Sequence, residues 1–205
     1  MKKLITLFTF MHLFMTLSAQ GNCLNFTASL DRATLPSEIS GDSDFTLEVW
    51  FRSDNTTLNG HMPRVFTWWG DPNSRLEGGD IDGEFVIYTK SVTGVNEFFN
   101  TNIFIRDGQW HHVAVSRQGN NYDVYIDGNL TNTFEKSIDL YNNFSIGNWN
   151  GTSIQNSQWI GDLDEIRLWD VVRSQSDIQA TMNCELTGNE TCLAGYWNFN
   201  QGTPA

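Results

Sequence analysis

The strongest constraint on the fold lies between Asp107 and Asp170, where short alternating stretches are separated by Gly, Asn and Asp residues. The tightest connection is in YDVYIDGNLTNTF, where Asp127 and Gly128 alone join two alternating stretches. A two-residue Asp-Gly connection is a strong β-hairpin signal, because this turn needs residues that tolerate positive φ. Regular short strands with little helical periodicity predict an antiparallel all-β sandwich.

Further strands are predicted on both sides of this stretch. FTLEVWFRS alternates, so its apolar residues share one face of a strand, namely Phe45, Leu47, Val49 and Phe51. The residues between them share the other face, namely Thr46, Glu48, Trp50 and Arg52. CLNFTASL, RVFTWW, EFVIYT and GYWNFN bring the expected total to about ten strands. One short helix near the C-terminus is predicted after Ser174, because Asp177 completes a variant capping box.

The first 19 residues have the pattern of a secretory signal peptide. Lys2 and Lys3 precede a short apolar stretch, and Ala19 ends a small-residue cleavage site. The apolar stretch is shorter than the ~20 residues that span a bilayer. We therefore expect a bacterial protein that is secreted or held at the cell surface. Residues 20–205 are expected to form one domain, and the ending NQGTPA suggests a piece of a longer protein.

The chain is strongly acidic. Its formal net charge is -12, and removal of Lys2 and Lys3 with the signal peptide makes this -14. Such a surface repels nucleic acid and anionic lipid, so we expect neither a nucleic-acid partner nor membrane insertion. Neutral ligands or cations suit it, although acidity can also serve solubility alone.

The three cysteines fit an oxidising compartment. Cys184 and Cys192 flank the turn-rich ELTGNET and are predicted to form a disulfide. Cys23 is left over, and is either free or a competitor for Cys192 if the two chain ends lie side by side. No histidine lies at ligand spacing to these cysteines, so they are not expected to bind a metal ion.

Several motifs occur in a family-specific order, namely FTLEVWF, DGQWHHVAVS, YDVYIDG, SIGNWNG and WIGDLDEIRLWDVVRSQSDI. In this order they resemble the laminin-G-like/pentraxin superfamily of concanavalin A-type jelly rolls, in its secreted bacterial form. The resemblance covers the chain from about Cys23 to Phe199. It implies a two-sheet jelly roll that binds a glycan or an extracellular protein ligand, often with calcium, on one rim or face.

The resemblance also directs attention to calcium. GGDIDGEFVIY matches the first acidic element of the family, and alternation would place Asp80, Asp82 and Glu84 on one side. The second element departs from the family, because Asn148 and Asn150 supply amide oxygens and no carboxylate. A weak calcium site at Asp80, Asp82, Asn148 and Asn150 is therefore the hypothesis. The alternative is an ordinary polar turn.

Exposed tryptophans are the candidates for glycan contact, because sugars stack their apolar faces on indole rings. Trp149 lies in a Gly/Asn loop, and alternation turns one of Trp68 and Trp69 inward and the other outward. We expect Trp149 and Trp69 to contact the ligand, with Asn148 and Asn150 as hydrogen-bonding neighbours. The resemblance assigns Trp50, Trp110, Trp159 and Trp169 to packing, and Trp197 is expected to pack as well because it lies in the terminal strand.

Glucanases share this jelly roll, so catalysis needs a test on the residues. Their paired carboxylates lie on one strand. The stretch from Asp80 to Glu84 resembles this arrangement only superficially, because Gly83 weakens the strand. In the family, the strand that carries Asp164 and Glu165 is structural. His111 and His112 point to opposite faces of a strand and have no nucleophile in a recognisable triad. No catalytic residue is expected.

The sequence therefore favours a carbohydrate-binding, lectin-like module. The alternatives are a protein-interaction or adhesion module and a structural spacer of a larger surface protein, with a glycoside hydrolase as a remote third.

Overall fold

A computed structural model describes residues 23–27, 31–37, 39–55, 62–71, 73–141, 143–148 and 157–200. The predicted signal peptide lies outside the described residues. Within them the chain forms fourteen strands and one helix, which are β1 (Leu24–Phe26), β2 (Ala33–Pro36), β3 (Phe45–Arg52), β4 (Arg64–Asp71), β5 (Arg75–Ile81), β6 (Glu84–Lys90), β7 (Asn96–Phe104), β8 (Trp110–Gln118), β9 (Asn121–Ile126), β10 (Asn129–Glu135), β11 (Asp139–Leu140), β12 (Asn143–Ile146), β13 (Gly161–Trp169), α1 (Gln175–Thr181) and β14 (Leu193–Trp197).

The strands build two seven-stranded antiparallel sheets that pack face to face. The first sheet has the order β1-β13-β3-β8-β9-β10, with β14 also paired to β13. The second has the order β2-β12-β4-β5-β6-β7, with β11 also paired to β4. The predicted all-β, antiparallel two-sheet jelly-roll sandwich with one short helix is confirmed.

The core between the sheets follows the predicted alternation of β3. Phe45, Leu47, Val49 and Phe51 are all buried in one apolar cluster with residues of the second sheet. Among the tryptophans expected to pack, Trp159 and Trp169 are buried and Trp50, Trp110 and Trp197 are half-buried.

Part of the outer face of β3 is buried as well, because the segment around α1 covers Thr46 and Glu48. Thr46 donates to the carbonyl of Val171 at 2.9 Å, and Trp50 Nε1 donates to the carbonyl of Met182 at 2.9 Å. Glu48 accepts from Arg173 Nη1 at 2.9 Å and lies 3.1 Å from His112 Nε2. A buried carboxylate needs such partners, so this group of charges anchors the covering segment to the first sheet.

Helix α1 begins as predicted. The Ser174 side chain accepts from the backbone N–H of Asp177, and the Asp177 side chain accepts from the backbone N–H of Ser174. This reciprocal capping box satisfies two of the donors that a helix N-terminus leaves without partners.

The prediction for Asp80, Asp82 and Glu84 as neighbours on one side of a strand is wrong. Asp82 and Gly83 have φ values of 55° and 93° and form the two-residue turn that joins β5 to β6. Asp127 and Gly128, with φ values of 50° and 73°, join β9 to β10 in the same way, as predicted. The Asp-Gly turn signal therefore holds at both places, and the first one reverses the chain between Asp80 and Glu84.

The predicted disulfide between Cys184 and Cys192 is not formed in the structure, where Cys23, Cys184 and Cys192 are free thiols. The Cys184 sulfur lies 4.0 Å from the carbonyl oxygen of Ala180, whereas the Cys192 thiol hydrogen-bonds Asp170. The two side chains thus have separate partners. No helix in the described part of the chain has the length and apolar character to cross a membrane.

Candidate functional site

The outer face of the second sheet carries a continuous row of planar side chains. Trp69, Arg75, Tyr88 and Phe98 come from β4, β5, β6 and β7, which are neighbours in that order. Trp69 pairs with Arg75 across two strands, and Tyr88 pairs with Phe98 across the next two. We call these four residues the aromatic row.

The members of the aromatic row stack on one another. The Arg75 guanidinium carbon lies 4.6 Å from the centre of the Trp69 ring and 5.3 Å from that of Tyr88. The rings of Tyr88 and Phe98 are 4.9 Å apart at an angle of 56°. Phe98 is 57% exposed, so the row ends in an aromatic ring that is open to solvent.

Buried polar side chains lie beside the aromatic row on the same face. Glu77 is the cross-strand partner of both Thr67 and Tyr88, and it accepts from Arg64 Nε at 2.6 Å. Gln158 pairs with Arg64 in a short parallel bridge, so it lies on the side of Glu77 that is away from Trp69. We call Thr67, Glu77 and Gln158 the polar floor, and each of them is buried.

The polar floor contains acceptor atoms that no described residue satisfies. Among the described residues, no hydrogen bond reaches Thr67 Oγ1, Glu77 Oε1 or Gln158 Oε1. Buried polar atoms in native proteins are nearly always hydrogen-bonded, so these acceptors on one face are candidates for hydrogen bonds from a ligand.

The residues predicted to contact a ligand are only partly placed by the structure. Trp68 is fully buried and Trp69 is half-buried on the outer face, which confirms the prediction that they point to opposite sides. Trp149 and Asn150 lie outside the described residues. Asn148 is buried and follows Gly147, whose backbone N–H donates to Val65 at the other end of β4 from Trp69. Trp69 lies four residues along the strand from Val65, roughly 13 Å away, so Asn148 lies nearer to Arg64 than to the aromatic row.

Sequence reasoning missed Arg75, Glu77, Tyr88 and Phe98. A signal was present, because Arg75 and Glu77 are charged residues two apart in RLEGGD, the spacing of one strand face. The two glycines that follow them obscured the strand, since glycine is depleted in strands.

Of the predicted calcium ligands, Asp80 is already engaged by other groups of the protein, and Asn150 lies outside the described residues. Asp80 is buried, and its Oδ1 accepts from the Gly83 backbone N–H at 2.8 Å while its Oδ2 pairs with Arg106. A guanidinium bonded to this carboxylate opposes a second cation. Asp82 lies in the β5–β6 turn, and no group of three acidic, histidine or cysteine residues among those described could hold a metal ion.

The arrangement that glucanases use is not met at Asp80 and Glu84. These residues lie on opposite strands of the β5–β6 hairpin, whereas a paired-carboxylate strand needs both on one strand. Asp80 is engaged by Arg106, and Glu84 accepts from Asn100 Nδ2 at 2.6 Å. Both carboxylates therefore have structural partners.

The acidic motif of β13 is also engaged in structural contacts. Glu165 accepts from Tyr196 Oη at 2.8 Å and from Arg167 Nη2 at 2.7 Å. Burial, together with the nearby charges of Glu165 and Glu185, raises the pKa of Asp164 to about 6. The contacts agree with the structural role that the family resemblance implies.

The adjacent histidines have different partners, as the alternation predicts. His111 lies between two carboxylates, with Nδ1 2.9 Å from Asp127 Oδ2 and Nε2 3.2 Å from Asp107 Oδ1. His112 is fully buried against Glu48 on the opposite face. Neither histidine has a nucleophile among its hydrogen-bond partners in the described part of the chain.

Comparison with known proteins gives the family. A family model of the laminin G type, described as the concanavalin A-like lectin/glucanases superfamily, matches residues 27–179. A search of curated proteins found no match.

Similar solved structures come from several organisms. One is a proposed carbohydrate binding protein from Bacteroides ovatus, with 17% identity and a TM-score of 0.66 over 87% of this chain and 51% of that one. This chain thus spans about half the length of that protein. A heptameric SAP-like pentraxin from Limulus polyphemus has 16% identity and a TM-score of 0.62 over 90% of this chain and 94% of its own.

A third similar structure is domain 4 of an extracellular arabinanase from Geobacillus stearothermophilus, solved in complex with arabinotriose. It has 20% identity and a TM-score of 0.58 over 78% of this chain and 81% of that one. At these identities the likeness establishes the fold. With the family match over residues 27–179 and the two-sheet jelly roll, the chain belongs to the concanavalin A-like lectin/glucanases superfamily as a laminin-G-like domain.

Proposed function

We propose that this domain is an exported, non-catalytic carbohydrate-binding module that holds a glycan along the aromatic row. The observation that carries the proposal is the stack of Trp69, Arg75, Tyr88 and Phe98 across four neighbouring strands, ending in an exposed ring. Aromatic rings offer the apolar faces on which sugar rings stack.

The dimensions of the aromatic row suit an oligosaccharide. Neighbouring strands are about 4.8 Å apart, so the distance from β4 to β7 is roughly 14 Å. A glycan of a few units can lie across the strands and contact Trp69 and Phe98 at the same time. Thr67 Oγ1 and Glu77 Oε1 lie beside this path, and they are acceptors of the kind that sugar hydroxyls need.

The comparisons support a binding role over catalysis. The Bacteroides ovatus protein is described as carbohydrate binding, and the arabinanase domain was solved with arabinotriose. The carboxylates of Asp80 and Glu84 have structural partners, which disfavours hydrolysis at that place. Export follows from the signal-like pattern of residues 1–19.

The test is a thermal melt of the mature domain with a panel of neutral and acidic polysaccharides, in calcium and in EDTA. A ligand that binds the native state at a hundredfold excess over Kd stabilises it by about 2.7 kcal/mol. We expect a stabilising glycan in the panel, and we expect Phe98→Ala to weaken its effect. Stabilisation that disappears in EDTA would assign a calcium ion to the site.

Phe104→Ala is the matched control. Phe98 and Phe104 lie on the same strand and are each 57% exposed, but Phe104 lies at the opposite end of β7, against Gly83. Equal loss in both variants would contradict binding at the aromatic row. No response to any glycan would contradict the proposed function and favour a protein-interaction or adhesion module.

A further inference from the structure

We propose that the polar floor is a specificity subsite for a neutral, hydroxyl-rich sugar, in which Thr67 and Glu77 accept hydrogen bonds from neighbouring sugar hydroxyls. This inference rests on the proposed function and adds the chemical class of the ligand. It also assigns the choice of ligand to the side chains of the polar floor, which lie beside the aromatic row.

The first argument is that two buried polar side chains have oxygen atoms without hydrogen-bond partners among the described residues. Thr67 and Glu77 are each 0% exposed and are cross-strand partners, so their side chains are neighbours on one face. Neither Thr67 Oγ1 nor Glu77 Oε1 receives a hydrogen bond from the described residues. A buried polar group without a hydrogen bond destabilises the fold, and a ligand that supplies the donor removes this cost.

The second argument is the kind of atom that is unsatisfied. Glu77 Oε1 and Gln158 Oε1 are oxygen acceptors, and Thr67 Oγ1 can accept as well as donate. Sugar hydroxyls supply the donors that these atoms need. A uronic acid would instead bring a carboxylate towards Glu77, and carboxylates are acceptors that repel each other.

The nearby arginine side chains already bond other groups of the protein, which weakens the case for an anionic ligand. Arg64 uses Nε on Glu77 and Nη1 on the Met62 carbonyl at 2.8 Å. Arg75 donates from Nη2 to Tyr88 Oη at 3.3 Å and is stacked between two rings. Both guanidinium groups therefore have partners within the protein.

Arg75 lies beside the second oxygen of Glu77 without hydrogen-bonding it. Its Nη1 lies 3.7 Å from Glu77 Oε1, which is an ion-pair distance and too long for a hydrogen bond. The Arg75 guanidinium is planar and occupies the space between the Trp69 and Tyr88 rings. A sugar hydroxyl placed beside this guanidinium can donate to Glu77 Oε1 while Arg75 keeps its place over Trp69.

Two threonines provide a matched pair for the test. Thr67 and Thr89 are each 0% exposed, and each has an Oγ1 without a hydrogen-bond partner among the described residues. Thr67 lies on the outer face beside Glu77, whereas Thr89 pairs with Leu76 of the core. Replacement by valine keeps the shape of the side chain and exchanges only the hydroxyl for a methyl group.

The experiment is calorimetric titration of the wild type, Thr67→Val and Thr89→Val with four neutral trisaccharides and trigalacturonic acid. The neutral probes are arabinotriose, mannotriose, cellotriose and laminaritriose. We expect a neutral trisaccharide to bind best, Thr67→Val to lower its affinity about tenfold, and Thr89→Val to leave it unchanged.

The failures of the two proposals are distinguishable. Preference for trigalacturonic acid, or equal affinity of Thr67→Val and wild type, would overturn the neutral-sugar subsite. If Phe98→Ala still weakened binding in that case, the proposed function would stand. If no saccharide bound the wild type, both proposals would fall.

Discussion

The guanidinium group of Arg75 lies over the Trp69 ring, with 4.6 Å between the guanidinium carbon and the ring centre. The two residues are cross-strand partners on β5 and β4, so the strand register itself brings them together. A cation over an indole face contributes about 0.5–1 kcal/mol at an exposed site and more when desolvated. This contact holds Trp69 in place at the start of the aromatic row.

Alanine substitution of the two adjacent tryptophans should have different effects on stability and on glycan affinity. Trp68 is 0% exposed in the core between Phe45 and Phe144, so Trp68→Ala is expected to cost about 3–5 kcal/mol of unfolding free energy. Trp69→Ala is expected to cost clearly less and to lower glycan affinity. Urea denaturation and glycan titration of both variants check this, and a larger loss of stability in Trp69→Ala would contradict the assignment of faces.

The buried carboxylate of Glu48 should be among the most sensitive polar groups of the fold. Glu48 is fully buried and pairs with Arg173 and Arg167, so Glu48→Gln leaves two largely buried guanidinium groups without this counter-charge. We expect a loss of about 3–5 kcal/mol in urea denaturation. Glu97→Gln is the control, because Glu97 pairs with Lys136 at an exposed site and should contribute no more than about 1 kcal/mol. Similar losses in the two variants would argue against the anchoring role of Glu48.

The stability of the domain should fall as the pH rises above 6.5, and His111 should account for the change. Burial acts to lower the pKa of His111, but the hydrogen bonds and charges of Asp127 and Asp107 outweigh it and raise the pKa. A raised folded-state pKa stabilises the fold below the unfolded value of about 6.5, and the contribution is lost as the pH rises through the folded value.

Unfolding free energies of the wild type and His111→Gln between about pH 6.5 and 9 test this. We expect the variant to lose the downward slope in this range. Asp164 also has a raised pKa, mainly through burial, but its value of about 6 places most of its effect below this range. An unchanged slope in His111→Gln would assign the pH dependence to another group.

Two glycines with positive φ separate backbone strain from steric overlap. Gly147 has φ 79° and a Cβ there would overlap the ring of Phe26, whereas Gly94 has φ 85° and open space around it. Gly94→Ala should cost about 1 kcal/mol for its backbone alone, and Gly147→Ala about 1–3 kcal/mol more because Phe26 is buried. Chemical denaturation of both variants gives the difference, and equal values would remove the steric argument.

Local signals in the sequence predicted the features that depend on neighbouring residues. The alternation of Phe45 to Arg52 predicted the core face of β3, and Ser174 with Asp177 predicted the start of α1. The Asp-Gly turn rule was correct at Asp127 and equally valid at Asp82, where the surrounding glycines concealed the hairpin.

Alternation determined that Trp68 and Trp69 point to opposite faces, because successive strand residues always do. It did not identify the residues beside Trp69, since Arg75, Tyr88 and Phe98 reach it only through the register of four paired strands. Burial of part of the outer face of β3 depended on a segment more than a hundred residues later that folds back over Glu48. The sequence by itself thus determined strands, faces and turns, which are local, whereas the aromatic row and the polar floor were decided by the tertiary structure, because strand pairing joins residues that no local pattern relates.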